Sequence, residues 1–340
     1  MKLKISNILI LVLAVTVSSG TSSLIAQNVP KEITIGTWNL EWFYDHDQGD
    51  NQSKLSKEKS APSASEWNWK LNEVAKVVGT NKPYIMAFQE VENRKVMFDL
   101  RTLLRTKYGL NYRVGFVEGF DSFTEQDVAV LFQDGLVEMS RREQNAIQWK
   151  SKKYKNLSKH LFTRFEWGSG NQKEELVILN LHLRAMPERE DLRIQQSLLA
   201  RIWIDEELKR GRNVVVLGDL NTEHRFGKQK ANSDIGVLRG LNDSDPKNDL
   251  KDSHESIRAS ERSTHMTGKQ FDRILYSAGL GLDDPRKKDL VFSSARVSRN
   301  QVIKGKVDDG DKRWKNAYAI PVRERDISDH YPVFATFKFK

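Results

Sequence analysis

The sequence predicts a mixed α/β protein whose sheets are covered on both faces. Short apolar, β-branched runs read as buried strands, and stretches with helical apolar spacing lie between some of them. Strand-like runs return late in the chain, which places sheets and helices in shared layers. The strands are expected at 33–38, 84–88, 128–132, 176–181, 214–217, 274–276 and 333–337. Residues 67–78 carry Trp67, Leu71, Val74 and Val78 at helical spacing, and 96–104 repeats the pattern. The longest helix is expected over 187–208, with Pro187 suited to its first turn and Leu192, Leu198, Leu199, Ile202 and Leu208 on one side. Three polar stretches, 45–65, 222–263 and 283–315, read as surface loops. The last is basic, and Lys304, Lys306 and Arg313 in it are the candidates for gripping a polyanion.

The chain has 340 residues and neither an internal repeat nor a Pro/Gly/Ser linker, so one large domain is expected over 27–340. Residues 1–26 differ from it. Lys2 and Lys4 precede an apolar run over 8–17, then small and polar residues follow, which is the order of a secretory signal peptide. The run is short for a membrane span. The mature protein is therefore expected outside the cytoplasm, periplasmic or secreted, without stable membrane association. There is no cysteine, which excludes disulfides, thiolate metal sites and a cysteine nucleophile. Loss of Lys2 and Lys4 takes the formal charge from +9 to +7, a balance that attracts DNA or RNA.

Rare polar residues collect where the apolar runs end or begin. The first run leads into Asn39 and Glu41, the second into Glu90, the fourth into His182, and the fifth into Asp219 and Asn221. Asp272 opens the sixth, and Asp329 and His330 precede the last. Strand ends are where α/β folds place chemistry. Carboxylate and amide oxygens suit a hard cation such as Mg²⁺, Mn²⁺ or Ca²⁺, and histidines move protons near neutral pH. A hydrolase acting on a phosphodiester needs both. A zinc site is disfavoured because no short His-x-x-x-His spacing occurs, and no G-x-S-x-G nucleophile elbow is present.

In order, TWNLEWF (37–43), QEVEN (89–93), DVAVLF (127–132), NLHL (180–183), GDLN (218–221), FDRIL (271–275) and SDHYPV (328–333) resemble the motif series of the DNase I-like endonuclease/exonuclease/phosphatase superfamily. The resemblance covers 33–340 and implies a four-layer α/β/β/α sandwich with its site at one end. It implies Glu90 as principal Mg²⁺ ligand, with Asn39 and Asp329 beside the metal and Glu41 contributing through water. It implies His330 as the acid/base at the scissile phosphate, Asp272 as its orienting carboxylate, and Asp219 at the attacking water. Asn221 would donate to a phosphate oxygen. His182 resembles the second histidine of the DNase I branch, with Asp127 as its partner. Arg164 resembles the phosphate-contacting arginine of secreted nucleases, although the usual proline context is missing. Glu92 stands where DNase I has a DNA-contacting arginine, a departure that weakens any minor-groove grip.

The function so implied is a secreted, metal-dependent phosphodiesterase acting as a monomer on nucleic acid, DNA first and RNA as well. A second class, a secreted phosphodiesterase or phosphatase for sphingomyelin or inositol phosphates, shares the same centre. A sphingomyelinase should display an exposed aromatic hairpin, and no such run stands out in the sequence. A non-catalytic binding protein on this fold is expected to have lost metal or histidine residues, and here they are all present.

Overall fold

Alternation along single strands sets the architecture. In β7 (Glu174–His182), Leu176 and Ile178 face one apolar layer while Val177 and Leu179 face another, so both sides of the sheet must be covered. A computed structural model describes residues 29–142, 144, 153–286, 288–300, 302–304 and 317–340. The expected leader at 1–26, together with Lys306 and Arg313, lies outside the described residues.

Two six-stranded sheets pack face to face. The first runs β11 (Leu290–Val297), β12 (Val333–Phe339), β1 (Glu32–Phe43), β2 (Ile85–Val91), β4 (Asp127–Phe132), β3 (Arg113–Phe116). The second runs β5 (Leu136–Ser140), β6 (His160–Trp167), β7, β8 (Asn213–Asp219), β10 (Asp272–Ser277), β9 (Leu250–Asp252). Each sheet has one parallel pair, β1 with β2 and β7 with β8, among antiparallel neighbours. Parallel neighbours need a crossover, and a helix supplies it in both cases. Helix α1 (Lys54–Lys59) and α2 (Ala64–Asn81) join β1 to β2, and α3 (Arg94–Tyr108) follows β2. Trp67, Leu71, Val74 and Val78 of α2 and Val96, Leu100 and Leu104 of α3 cover Trp38, Met86 and Phe88. Helix α4 (Glu190–Lys209) joins β7 to β8, and its Leu199, Ala200, Trp203 and Ile204 cover Val177, Leu179, Val214 and Val216. The result is the α/β/β/α sandwich.

Between the sheets the core is apolar: Ile33, Ile35, Ile85, Ala87 and Val130 meet Phe165, Leu176, Ile178, Val215 and Ile274. One polar bridge crosses it. Buried Gln89 donates from Nε2 to Asn180 Oδ1 at 2.7 Å, and Asn180 Nδ2 donates to the carbonyls of Phe88 (3.1 Å) and Ala129 (3.0 Å). Its remaining acceptor, Gln89 Oε1, is bonded by the Thr37 hydroxyl of its own sheet at 3.3 Å.

All seven expected strands and all three expected helices are present, most with longer ends. The loops were over-read. The 45–65 stretch contains α1, 222–263 contains α5 (Asp234–Arg239) and β9, and 283–315 contains β11. These elements are short or lie at sheet edges, so their outward residues are polar and mask the period. Among the described residues no helix is long and apolar enough to cross a membrane.

Candidate active site

The two parallel pairs point their C-terminal ends the same way, and the antiparallel β10 and β12 begin there. Asp219 and Asp272 are register partners, and His182 pairs with Asp219. The polar clusters of six strands therefore meet at one end of the sandwich, in a cleft of about 410 Å³. Glu41, Glu90, His182, Asp219, Asn221, Asp329 and His330 line it, with Trp42, Met186, Pro187 and Phe271 as apolar wall.

Backbone irregularities aim the side chains. The β1–β2 pairing slips between Asn39 and Phe43, and the β2–β4 pairing slips between Gln89 and Val91. The extra residues bulge and re-aim. Glu41 (φ +48°), Trp42 (+56°), Glu90 (+60°), Met186 (+85°) and Asn221 (+48°) all hold left-handed backbone and all line the cleft. Strain of this kind persists where the surroundings over-determine it, typically at functional sites. Before Asp219, Gly218 sits at φ +131°, and a Cβ there would lie 1.9 Å from the Leu181 carbonyl oxygen. Gly218→Ala is expected to cost at least about 1–3 kcal/mol from backbone strain alone. The measurement is soluble yield and melting temperature, and a variant as stable as the parent would refute this account of the close approach.

Asn39 joins the sheets across the floor. Its Nδ2 donates to Glu90 Oε1 at 3.0 Å and to Asp219 Oδ2 at 2.9 Å, while its Oδ1 accepts from the Glu41 amide at 2.8 Å. Asn39 thus braces Glu90 and Asp219, with its nitrogen facing both carboxylates. Glu90 Oε2 also accepts from the Trp42 amide at 3.0 Å. Burial first, and then the charge of Asp329, push the Glu90 carboxyl up to about 7. Glu41 Oε2 accepts from the Asp329 amide at 3.0 Å, so Glu41 fixes the segment that carries Asp329 and His330.

His330 and Asp272 form a buried dyad, with Nδ1 2.7 Å from Asp272 Oδ2. The Ser328 hydroxyl accepts from the His330 amide at 3.0 Å, and Trp38 Nε1 donates to its carbonyl at 2.9 Å. Its Nε2 faces the cleft, 3.8 Å from both Asp219 Oδ2 and Asp329 Oδ1. Burial pulls this imidazole down, but Asp272, Asp219 and Asp329 outweigh it and hold it well above its ordinary value, hence protonated. Asp219 is pushed up by burial and held below the ordinary carboxylate range by the charge of His330 and by its bonds from Asn39 and the Asn221 amide. Burial and then Lys159 push His182 down to about 3, which leaves it neutral.

Some expectations are corrected. His182 Nε2 approaches Asp219 Oδ2 (3.5 Å) and Glu90 Oε1 (4.0 Å), and its buried Nδ1 has no partner among the described residues. Asp127 is not that partner; it lies under the charge of Arg141 and the Gly119 amide. Asn221 Nδ2 donates to the Leu183 carbonyl at 3.1 Å, so it is tied back to the loop after β7. Arg164 lies on β6 opposite Val177, away from the cleft, and is held by Glu138 (3.1 Å), Glu175 (3.0 Å) and Glu166. Its charge is spent within the sheet face. Arg164→Gln is expected to leave KM within about two-fold and to lower stability by about 1 kcal/mol. A large rise in KM would restore it to the substrate path. Lys304 pairs with Glu73 at 2.9 Å on α2, beside the Trp69 ring, and does not line the cleft. Glu92 is buried and accepts from the Asp45 amide (2.8 Å) and Asn51 Nδ2 (2.6 Å), so it secures the β1–α1 loop. Trp38 is core, but Trp42 is cleft wall.

The sequence reading missed His265. Its Nε2 lies 3.3 Å from Asp329 Oδ2, its Nδ1 lies 2.7 Å from Thr267 Oγ1, and its ring meets His330 edge-on at 4.7 Å. Among the described residues, ligand atoms of His265, Asp329 and His330 come within 4.8 Å of one another, as do those of Asp219, Asp272 and His330.

This fold and this set of strand-end residues define a phosphoester hydrolase of the endonuclease/exonuclease/phosphatase type. The profile of the Endonuclease/Exonuclease/phosphatase family matches residues 36–330, and the chain belongs to that family. It is a family of phosphodiesterases and nucleases that typically depend on a divalent metal. The chain is similar to the human Nocturnin catalytic domain solved with a bound sulfate anion, at 16% identity and TM-score 0.56 over 92% of this chain and 96% of that one. It is similar to an endonuclease/exonuclease/phosphatase from Bacteroides vulgatus, at 15% identity and TM-score 0.56 over 92% and 100%. It is also similar to D. rerio TDP2 complexed with single strand DNA product, at 14% identity and TM-score 0.52 over 91% and 100%. These likenesses establish the fold. No curated protein matches the chain.

Proposed function

We propose that the chain is an exported, metal-dependent phosphodiesterase that hydrolyses nucleic acid, cutting DNA internally. The observation that carries the reading is the Asp272–His330 dyad facing a buried carboxylate floor in an open cleft. The donor set fits a hard cation. Asp329 is close enough to raise the proton affinity of buried Glu90, and a cation would relieve that repulsion. Glu90 and Asp329 would hold it. When bound, it would neutralise charge on the phosphate.

The chain's own residues do the rest. Protonated His330 presents Nε2 to the cleft and donates to a phosphate or leaving oxygen. Asp272 fixes the ring and favours its charged form. Ionised Asp219, braced by Asn39, accepts a hydrogen bond from the attacking water and orients it. Neutral His182 is a hydrogen-bonding group on the opposite wall. Nucleic acid as substrate is supported by the formal charge of +7 left after loss of Lys2 and Lys4 from +9 and, as fold-level analogy, by the DNA product in D. rerio TDP2. Export is supported by the order of residues in the 1–26 leader.

One observation favours a second reading. Phe120 and Phe123, in the loop between β3 and β4, are 81% and 71% exposed. Such residues suit entry into a membrane, as a sphingomyelin-cleaving enzyme requires. The chain from Gln27 onward should be given supercoiled plasmid, single-stranded circular DNA, sphingomyelin and inositol phosphates, each with Mg²⁺ or with EDTA. Mg²⁺-dependent nicking is the expected result. Intact DNA with lipid turnover would move the function to the second reading.

A further inference from the structure

Two apolar residues of the cleft hold a backbone conformation that their side chains oppose. Trp42 sits at φ +56° and Met186 at φ +85°. Bulky residues are rare there, whereas glycine adopts it freely. The backbone contacts explain the conformations but not the residues. The Trp42 amide donates to Glu90, and the Met186 carbonyl accepts from Arg193 Nη1 at 2.7 Å, with Arg193 buried against Asp234. Glycine would make both contacts without the steric penalty. What tryptophan and methionine add is a side chain.

Neither side chain completes the core. Trp42 is half-buried, Met186 is 58% exposed, and both line the cleft that holds His330. Neither carries a charge for a phosphate. The indole is nevertheless fixed, with Tyr44 edge-on at 5.4 Å and Lys59 Nζ 5.8 Å from its ring centre.

We infer that Trp42 and Met186 form a stacking subsite for an unpaired nucleobase beside the scissile phosphate. The inference rests on the nucleic-acid reading above and narrows its substrate class to single-stranded or frayed polynucleotide. An indole face stacks on any base, and a thioether adapts to each, so the subsite is tolerant of sequence. An intact duplex keeps its bases inside the stack and must unpair before one can enter. The cleft of about 410 Å³ has the size of a small-molecule pocket rather than a duplex groove.

Trp42→Gly and Met186→Gly relieve the strained backbone while removing the side chains, so melting temperature reports separately that the fold is kept. Four substrates are compared: a single-stranded oligonucleotide, the same strand with abasic positions flanking the cut, its duplex, and bis(p-nitrophenyl) phosphate. The parent should prefer the base-bearing single strand. Each glycine variant should lose roughly 5- to 100-fold in kcat/KM on that strand, well beyond its loss on the abasic strand or the small diester. Trp42→Phe should restore part of the loss. If Trp42→Gly melts early, Trp42→Leu, apolar but without a ring, should give the same ranking. Equal losses on all four substrates, or a parent that prefers duplex, would overturn the inference. Polynucleotide cleavage indifferent to the variants removes the stacking subsite alone. Hydrolysis of the small diester with no polynucleotide cleaved removes the nucleic-acid reading and the subsite together.

Discussion

His330→Asn is expected to lower turnover by roughly 10²–10⁴-fold, the usual contribution of a positioned acid or base. The variant keeps a donor for Asp272 but no longer offers a titrating nitrogen to the cleft. His330→Ala should be as inactive and also less stable, because it leaves the Asp272 carboxylate buried without the partner now 2.7 Å away. The pair of variants separates proton transfer from packing. The sign of the pH effect follows from the raised pKa of His330. Its folded value lies above the unfolded one, so its stabilisation is fully present below the unfolded pKa. It is lost as pH rises through the folded value. In EDTA the parent should therefore lose melting temperature toward high pH more steeply than His330→Asn. Parallel curves would show that the dyad does not carry the charge assigned to it.

Glu90→Gln should behave differently with and without metal. Without metal it is expected to melt close to the parent: it removes a buried carboxyl pushed up to about 7 by desolvation and by Asp329, and it gives up one of the two bonds accepted from Asn39 and the Trp42 amide. With metal it should be slower by on the order of 10²–10³-fold or more, the scale on which loss of one electrostatic contributor acts. Mg²⁺ should stabilise the parent by mass action and leave Glu90→Gln nearly unmoved. Calorimetry with and without EDTA distinguishes this from simple damage. A variant that is slow, yet gains as much stability from Mg²⁺ as the parent, would place the ligand elsewhere.

The sandwich and its catalytic edge were legible because burial on both faces leaves continuous apolar runs. Against such runs Asn39, Glu90, His182, Asp219 and His330 stand out as residues the core does not need. The strands that escaped notice are those nearer an edge. In β6, Arg164 and Glu166 point outward and interrupt the run, although Leu161, Thr163, Phe165 and Trp167 alternate beneath them. Arg164 misled for a related reason: nothing local shows that Glu138 and Glu175 converge on it. His265 was invisible because it belongs to no regular strand. It reaches the site through a bridge to His330 and through the Tyr331 amide bonding to the Thr264 carbonyl at 2.8 Å, contacts that span the end of the chain. The bulges at Glu41, Trp42 and Glu90 were equally hidden, since no glycine marks them.

The two polar bridges between the sheets, Gln89–Asn180 in the core and Asn39–Asp219 beneath the cleft, fix how far one sheet can slide over the other. A slide of one sheet over the other by a single residue would break both and leave Gln89 and Asn180 without partners in a dry interior. The catalytic floor thus has the stiffness of the hydrophobic core. Any motion needed to admit a substrate and release its product falls to the rim segments of the cleft, such as the one carrying the exposed Met186. Adaptation of this scaffold to cold or heat would act on those rim segments, with the floor geometry held constant.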